Sequence, residues 1–518
     1  MKIVRFFVAF TLICFAALST AQAVLPAPDG GYPGGNTAEG NDALFSLTSG
    51  VWNTALGFQS LYNNSTANQN TAVGFQGLFN NISGTFNTAI GVQALFSNFA
   101  GSANAGVGFR ALYKNTNGSR NTGMGYRALA FNERASDNTA IGAEALYQNI
   151  SGFANTAIGS DALRVNTGSE NTAIGADALS RNDTAEANTA VGNNALFHND
   201  ATGNGTANLN TAVGAAALEG NIDGSSNTAV GASALFSNQG GGSNTATGSF
   251  ALFSNTTGNL NAAFGLSALT ANIGGTGNTA IGVSALQNNT GGDFNTAVGA
   301  SALSNNNTGI TNTAIGRSAL SNNTSGSNNI AVGVGAGGGV TTASDVTCLG
   351  GVAGADVSNT TWIANVYGVT TQNDTTAPVI VSADGQLGTV ASSERFKKDI
   401  ANMDKASEAI LSLRPVTFHY RTDTKGTPQF GLVAEEVAKI NPALVLPDKE
   451  GKPYTVRYDA VNAMLLNEFL KEHRKNEEQE ATIARLEKQI EALTAGLQKV
   501  SAQLELSKPA PQTVVNNR

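Results

Sequence analysis

Asn138-Thr139-Ala140-Ile141-Gly142, followed two residues later by Ala145-Leu146, begins again at Asn155 as Asn155-Thr156-Ala157-Ile158-Gly159. Written generally, the unit is N-T-A-[VI]-G-x-x-A-L-x-x-N-x-x-G-x-x. Its leading asparagine falls at 36, 53, 70, 87, 104, 121, 138, 155, 171, 188, 210, 227, 244, 261, 278, 295, 312 and 329. The step is 17 residues except for 16 from Asn155 to Asn171 and 22 from Asn188 to Asn210. The glycine four places on stands in all 18 copies and the leucine eight places on in 17, which marks an array of one small stacking unit.

Seventeen residues with two turn signals are too short for a pair of helices. They suit two short strands, with Asn and Gly at corners of positive φ. Each unit is then one coil of a parallel β-solenoid or β-roll, and coils stack through strand hydrogen bonds at about 4.8 Å to give a rod of roughly 80 Å. Neighbouring residues on a strand point to opposite faces. Ala-Ile and Ala-Leu therefore predict two buried faces: alanine inside the coil, and an outer row of Val, Ile and Leu that needs a partner. An exposed apolar row of that length is an aggregation hazard, so the expectation is a fibre that oligomerises along its axis. The alternative is a wider monomeric β-helix that takes the large residues inside. A disordered polar tract is excluded by the strict apolar positions.

Charged residues make up only 13% of the chain. Residues 392–518 hold 19 of the 29 Lys+Arg and 18 of the 37 Asp+Glu, which leaves the repeats sparse in charge and acidic. That balance argues against nucleic acid as a partner. Residues 1–23 read as a secretory leader: Lys2 and Arg5, an apolar run from Val8 to Leu18, then Ala21-Gln22-Ala23. The apolar run is short for a membrane span and no second one follows, so the expected destination is secreted or on the cell surface or outer envelope. Cys14 would leave with the leader, and Cys348, then alone, is expected to be free and buried.

The units resemble the head repeats of trimeric autotransporter adhesins, whose N-S-x-A-[IV]-G coils form a trimeric β-roll. The resemblance is confined to the N-T-A-[VI]-G half. It implies a homotrimer and a cell-surface glycan or protein receptor. A glycan-degrading enzyme is the competing reading. It needs paired carboxylates, for which Glu144, Asp161 and Asp177 share one coil position and Glu170 and Glu186 another. Solvated surface acids explain the same residues.

After Gly339 the repeats stop. Thr360 to Val369 reads as short strands with Trp362 and Tyr367 expected in a core, and Pro378 to Val390 as a hairpin turning at Asp384-Gly385. From Ser392-Ser393-Glu394-Arg395-Phe396-Lys397 the chain becomes charged and mixed α/β. It continues through Val416 to Tyr420, Gly431-Leu432-Val433-Ala434-Glu435-Glu436-Val437 and Tyr458 at the start of a long helix. This order resembles the intramolecular chaperone of endosialidases and of phage tail spikes and fibres, also found in a myelin-gene regulatory factor. The resemblance implies a Ser/Lys dyad, here Ser392 and Lys397, that cuts the bond between Ala391 and Ser392.

The chemistry is coherent. A serine hydroxyl needs a base, and a lysine can serve if burial leaves it neutral. Five residues do not share a helix face, so Ser392 is expected on an extended approach with Lys397 reaching back from the first helical turn. The bland alternative makes Ser392 and Ser393 helix caps and Lys397 a solvated charge. Ser393 is a second candidate nucleophile and His419 a third group. Ile483, Leu486, Ile490, Leu493, Leu497, Val500 and Leu504 follow heptad spacing. That predicts a coiled coil, two-stranded by its core residues and three-stranded by the resemblance.

The expected plan is leader 1–23, linker 24–35, solenoid 36–340, β neck 341–391, auto-processing chaperone 392–460, helix and coiled coil 461–506 and tail 507–518. No cofactor or metal is expected. The function expected is a secreted trimeric fibre, structural or adhesive, that cuts itself before Ser392; the alternatives are the glycan-degrading enzyme and a trimeric adhesin that does not cleave.

Overall fold

The computed structural model describes residues 33–369, 371, 376–382 and 384–507, so the leader, residues 24–32 and residues 508–518 lie outside it. The chain divides into two compact units, one ending at Val369 and the other beginning at Thr370.

The first unit is a parallel β-solenoid. Twenty strands form one sheet, almost all of them three residues long. Every repeat pairs with the next in strict register: Thr139 with Thr156, Ala140 with Ala157, Ile141 with Ile158. The 16-residue step and the 22-residue step keep that register, Thr156 against Thr172 and Thr189 against Thr211, so the length change is absorbed in the turns. The ladder runs past the last repeat. Val346–Leu349 and Thr360–Ile363 add two further parallel rungs.

Half of the expected corner chemistry holds. Gly142 has φ +142°, and a Cβ there would sit 2.3 Å from the carbonyl oxygen of Gly159, so shape and conformation both demand glycine. The asparagines are not at corners. They are buried, and they form two hydrogen-bonded ladders. Asn138 Oδ1 accepts the backbone N–H of Asn155 at 2.9 Å, and its Nδ2 donates to the carbonyl of Gly152 at 3.0 Å. Eleven places further on, Asn149 Nδ2 donates to Asn132 Oδ1 at 3.0 Å and to the same carbonyl at 2.7 Å. Among the described residues no buried side-chain nitrogen or oxygen lacks a partner.

The second strand of each coil is replaced by a turn. Only Gln148–Asn149, Val165–Asn166 and Arg181–Asn182 form a short second ladder. In these coils as in the others, the Ala-Leu segment ahead of it is bent by left-handed residues: Glu144 at φ 54° and Leu146 at φ 50°. Strand alternation therefore fails, and Ala145 and Leu146 both point inward and are fully buried. A left-handed leucine costs about 1–2 kcal/mol, while burying its side chain contributes about 1.5–3 kcal/mol. Burial wins. The outer row accordingly consists of the third strand residue alone, half-exposed as in Ile141, Ile158 and Ile174, and the leucines expected there belong to the core.

Cys348 is free and fully buried, and burial pushes its thiol up. Trp362 is 37% exposed and Tyr367 fully exposed, so neither is a core residue: Thr360–Ile363 is the last rung of the ladder, and nothing described in this unit stacks on it.

In the second unit, Ile380–Val381 pairs with Leu387–Gly388 around the Asp384-Gly385 turn. Val416–Phe418 pairs with Gln429–Gly431, and Val445–Pro447 with Pro453–Val456, all antiparallel. A short helix, α1, spans Ala434–Ile440, and a 49-residue helix, α2, spans Tyr458–Leu506. Val437, Leu444 and Val456 form a small core with Leu413, Leu432 and Val461 around it. Helix α2, about 74 Å long at 1.5 Å per residue, buries none of its residues. No helix among the described residues is long and apolar enough to cross a membrane.

Candidate functional site

Ala391 and Ser392 lie on exposed, irregular backbone three residues after the hairpin strand Leu387–Gly388. A single 3-10 turn, Glu394–Phe396, follows, with the Phe396 N–H donating to the Ser393 carbonyl at 3.0 Å. This turn folds Lys397 back. Lys397 is extended at φ −116°, just past the turn rather than within it, and its Nζ reaches Ser392 Oγ at 3.4 Å. Ser393 precedes the turn but makes no side-chain cap, so the capping role is unfilled. His419 is exposed just beyond Val416–Phe418, and no hydrogen bond ties it to Ser392 or Lys397.

Both members of the pair face solvent. The arrangement therefore supplies proximity without the burial that a lysine base requires. The Gly431 block and Tyr458 are joined directly. The Leu432 N–H donates to the Tyr458 hydroxyl at 3.0 Å, and a Cβ on Gly431 would sit 2.8 Å from that oxygen. Arg414 forms a two-pronged ion pair with Glu436 on α1, which holds that carboxyl below the usual range. Ser407 is fully buried and donates to Glu468 of α2, while Asn467 Nδ2 donates back to it at 2.7 Å. These polar contacts tie α2 at Asn467 and Glu468 to the 3-10 helix Asp404–Ser412.

Two of the five acids singled out in the solenoid, Glu144 and Asp161, are ion-paired. Arg164 Nε lies 3.1 Å from Glu144 Oε2 and 3.1 Å from Asp161 Oδ1, and Arg127 Nη1 is 3.5 Å from Glu144. Burial, and then the neighbouring Asp161 carboxylate, push the Asp177 carboxyl above the usual range. Glu170 and Glu186 are exposed.

An aromatic column escaped the sequence reading. Phe45, Tyr62, Phe79, Phe96 and Tyr113 stack at centroid spacings of 5.0–5.3 Å. Their positions, each nine places after a leading asparagine, carry the same 17-residue period and could have shown it. Among the described residues no group of His, Cys, Asp and Glu could hold a metal ion.

Residues 392–446 match the family model described as chaperone of endosialidase. The match spans the Ser392–Lys397 stretch and the Gly431–Val437 block and stops short of Tyr458. No curated protein and no solved structure matches the chain. A solenoid of this kind and a chaperone segment of this family fit a tail-fibre-like or tail-spike-like protein.

Proposed function

We propose that the chain is a secreted homotrimeric surface fibre whose segment from Ser392 aligns three copies and then cuts the Ala391–Ser392 bond. The observation that carries the reading is the Lys397 Nζ to Ser392 Oγ contact of 3.4 Å inside the matched segment. Trimerisation is supported by two unpartnered apolar features: the half-exposed row that includes Ile141, Ile158 and Ile174, and the exposed heptad seam of α2 from Ile483 to Leu504. Export is supported by the leader-like residues 1–23, and a surface glycan or protein is the receptor such a fibre would meet.

Lys397 takes the proton of the Ser392 hydroxyl as Oγ attacks the carbonyl carbon of Ala391. The C–N bond then breaks, and Lys397 returns the proton to the departing Ser392 amine. Water hydrolyses the resulting ester, leaving a carboxylate on Ala391 and restoring the Ser392 hydroxyl. A partner subunit packed over the pair would supply the burial that a single chain lacks.

Denaturing gels with N-terminal sequencing test this. Wild type is expected to separate into two pieces, the smaller beginning at Ser392. Ser392→Ala, Lys397→Ala and Lys397→Arg are expected to stay whole, the last because a guanidinium keeps its proton near neutral pH. Ser393→Ala is expected to cut. An uncut wild type, or normal cutting by Ser392→Ala, ends the self-cleavage reading and leaves an assembly segment alone.

A further inference from the structure

The one enlarged coil of the solenoid, with its 22-residue step, sits beside a recess of about 480 Å³ lined by His198, Glu219, Phe236, Ser237 and Gln239. Its volume lies within the range of small-molecule sites, about 300–1,000 Å³.

Besides the His198 imidazole, Phe236 is the aromatic residue lining the recess. On the side of the following coil it stacks on Phe253 at 5.1 Å with planes 8° apart. On the side of the preceding coil the equivalent position is Glu219, so no ring covers that face. The residues from His198 to Ile222 line the recess from that coil and the one before it, and Ser237 and Gln239 line it from the coil of Phe236 itself, so the ring borders the opening and carries no stacked ring on the side of Glu219. This differs from Phe79, whose two faces are taken by Tyr62 and Phe96.

The rim is polar and unspent. The side chains of Glu219, Ser237 and Gln239 have no hydrogen-bond or ion-pair partner among the described residues. His198 makes only an edge contact with Phe197, at 4.6 Å between centroids. Together they offer a carboxylate that accepts and a hydroxyl, an amide and an imidazole that both donate and accept. No lysine or arginine lines the recess.

We infer that this recess binds one residue of an uncharged glycan. A pyranose has a face of C–H bonds and a rim of hydroxyls. The C–H face, slightly positive, lies on the negative face of an aromatic ring. The hydroxyls match groups that both donate and accept. Phosphate and carboxylate ligands are excluded by the absent cation and by Glu219, which would face them with like charge. The assignment gives the proposed fibre a receptor class, but the recess is built within one chain and needs neither trimer nor cleavage.

Saturation-transfer NMR on the full chain tests it with methyl glucoside, methyl galactoside and methyl N-acetylglucosaminide as probes, and with N-acetylneuraminic acid as the anionic control. Transfer is expected to the C–H protons of at least one neutral glycoside and not to the acid. Phe236→Leu keeps apolar bulk and removes the ring face, and is expected to weaken binding about tenfold. Glu219→Ala, a surface change that the ladders do not depend on, is expected to weaken it as well. Phe79→Leu is expected to leave it unchanged. No transfer to any neutral glycoside, transfer to the acid alone, or equal binding by wild type, Phe236→Leu and Glu219→Ala overturns the inference. None of these readouts moves if the chain fails to trimerise or to cut itself.

Discussion

At the scale of single residues, the solenoid is held by side chains that repair the backbone. Asn138 illustrates the point, because its amide serves Asn155, Asn121 and Gly152 at once. Asn138→Ala leaves the Asn155 N–H without its acceptor inside the coil, at roughly 1–3 kcal/mol, while the Gly152 carbonyl keeps its bond from Asn149. Contacts in a solenoid are between nearest neighbours. The loss is therefore expected to appear as faster amide exchange in the coils from 121 to 171, with the coils beyond 260 unchanged. Asp356 does the same work at the end of the ladder. Its carboxylate accepts the N–H groups of Thr341, Thr342 and Ala343, each at 2.8 Å, and both threonine hydroxyls. Those bonds hold its carboxyl far below the usual range. A carboxyl depressed on folding adds stability above its unfolded value of about 3.9, and that stability drains away as pH falls through the lower folded value. The rungs Val346–Leu349 and Thr360–Ile363 are thus expected to keep their exchange protection from pH 7 to about pH 5 and to lose it only below about pH 4. In Asp356→Asn they are expected to be loosened already at pH 7, and protection equal to wild type there would refute this.

At the scale of elements, much was legible and the failures have physical causes. Period, strand and alanine interior followed from N-T-A-[VI]-G, because a three-residue strand obeys strict alternation. The leucines were misplaced because alternation was carried into Ala145-Leu146, where left-handed residues either side of the alanine turn both side chains inward. A left-handed leucine carries no local signal, since nothing but the stacked neighbour coil makes it worthwhile. The nearness of Lys397 to Ser392 was legible in their motif, whereas the recess at Phe236 was hidden behind a spacing anomaly that marked only an insertion. Helix α2 is the element whose reading reaches furthest. Its exposed seam includes Leu486 at 47% and Leu493 at 67%, in a helix that buries nothing of its own. Such a helix is expected to find its partners in other copies. Leu486→Lys with Leu493→Lys places charges in the seam, and is expected to shift the protein from trimer toward monomer in light scattering while the circular dichroism of the solenoid persists. An unchanged mass would remove α2 from the assembly interface.

At the scale of the whole molecule, near-identity of the coils creates a register problem. In the proposed trimer, solenoids shifted by one coil would lose little contact, so an alignment device would have to act before the coils zip. If the segment from Ser392 is that device, cutting must come after alignment, since a fibre cut early would lose its guide. The geometry of Ser392 and Lys397 offers a way to enforce that order. The two atoms are already 3.4 Å apart in one chain, yet both side chains are exposed, and a lysine acts as a base only where burial favours its neutral form. Packing three copies together would exclude water from the pair and make the lysine competent, so that assembly switches the chemistry on. The expected outcome is that self-cleavage follows oligomerisation. The seam variant Leu486→Lys with Leu493→Lys should cut at least tenfold more slowly than wild type at equal concentration, although neither residue is near the dyad in sequence. Raising protein concentration should partly restore its rate, because mass action repopulates the trimer. Ser392→Ala should still reach the trimer mass, and once cut, the wild-type fibre should hold that mass after the smaller piece is removed, as a kinetically trapped product. Time courses of cleavage on gels, read beside light scattering on the same samples, decide the matter. If monomeric seam variant cuts as fast as wild type, burial by partners is not what activates Lys397, and cleavage is a property of the single chain.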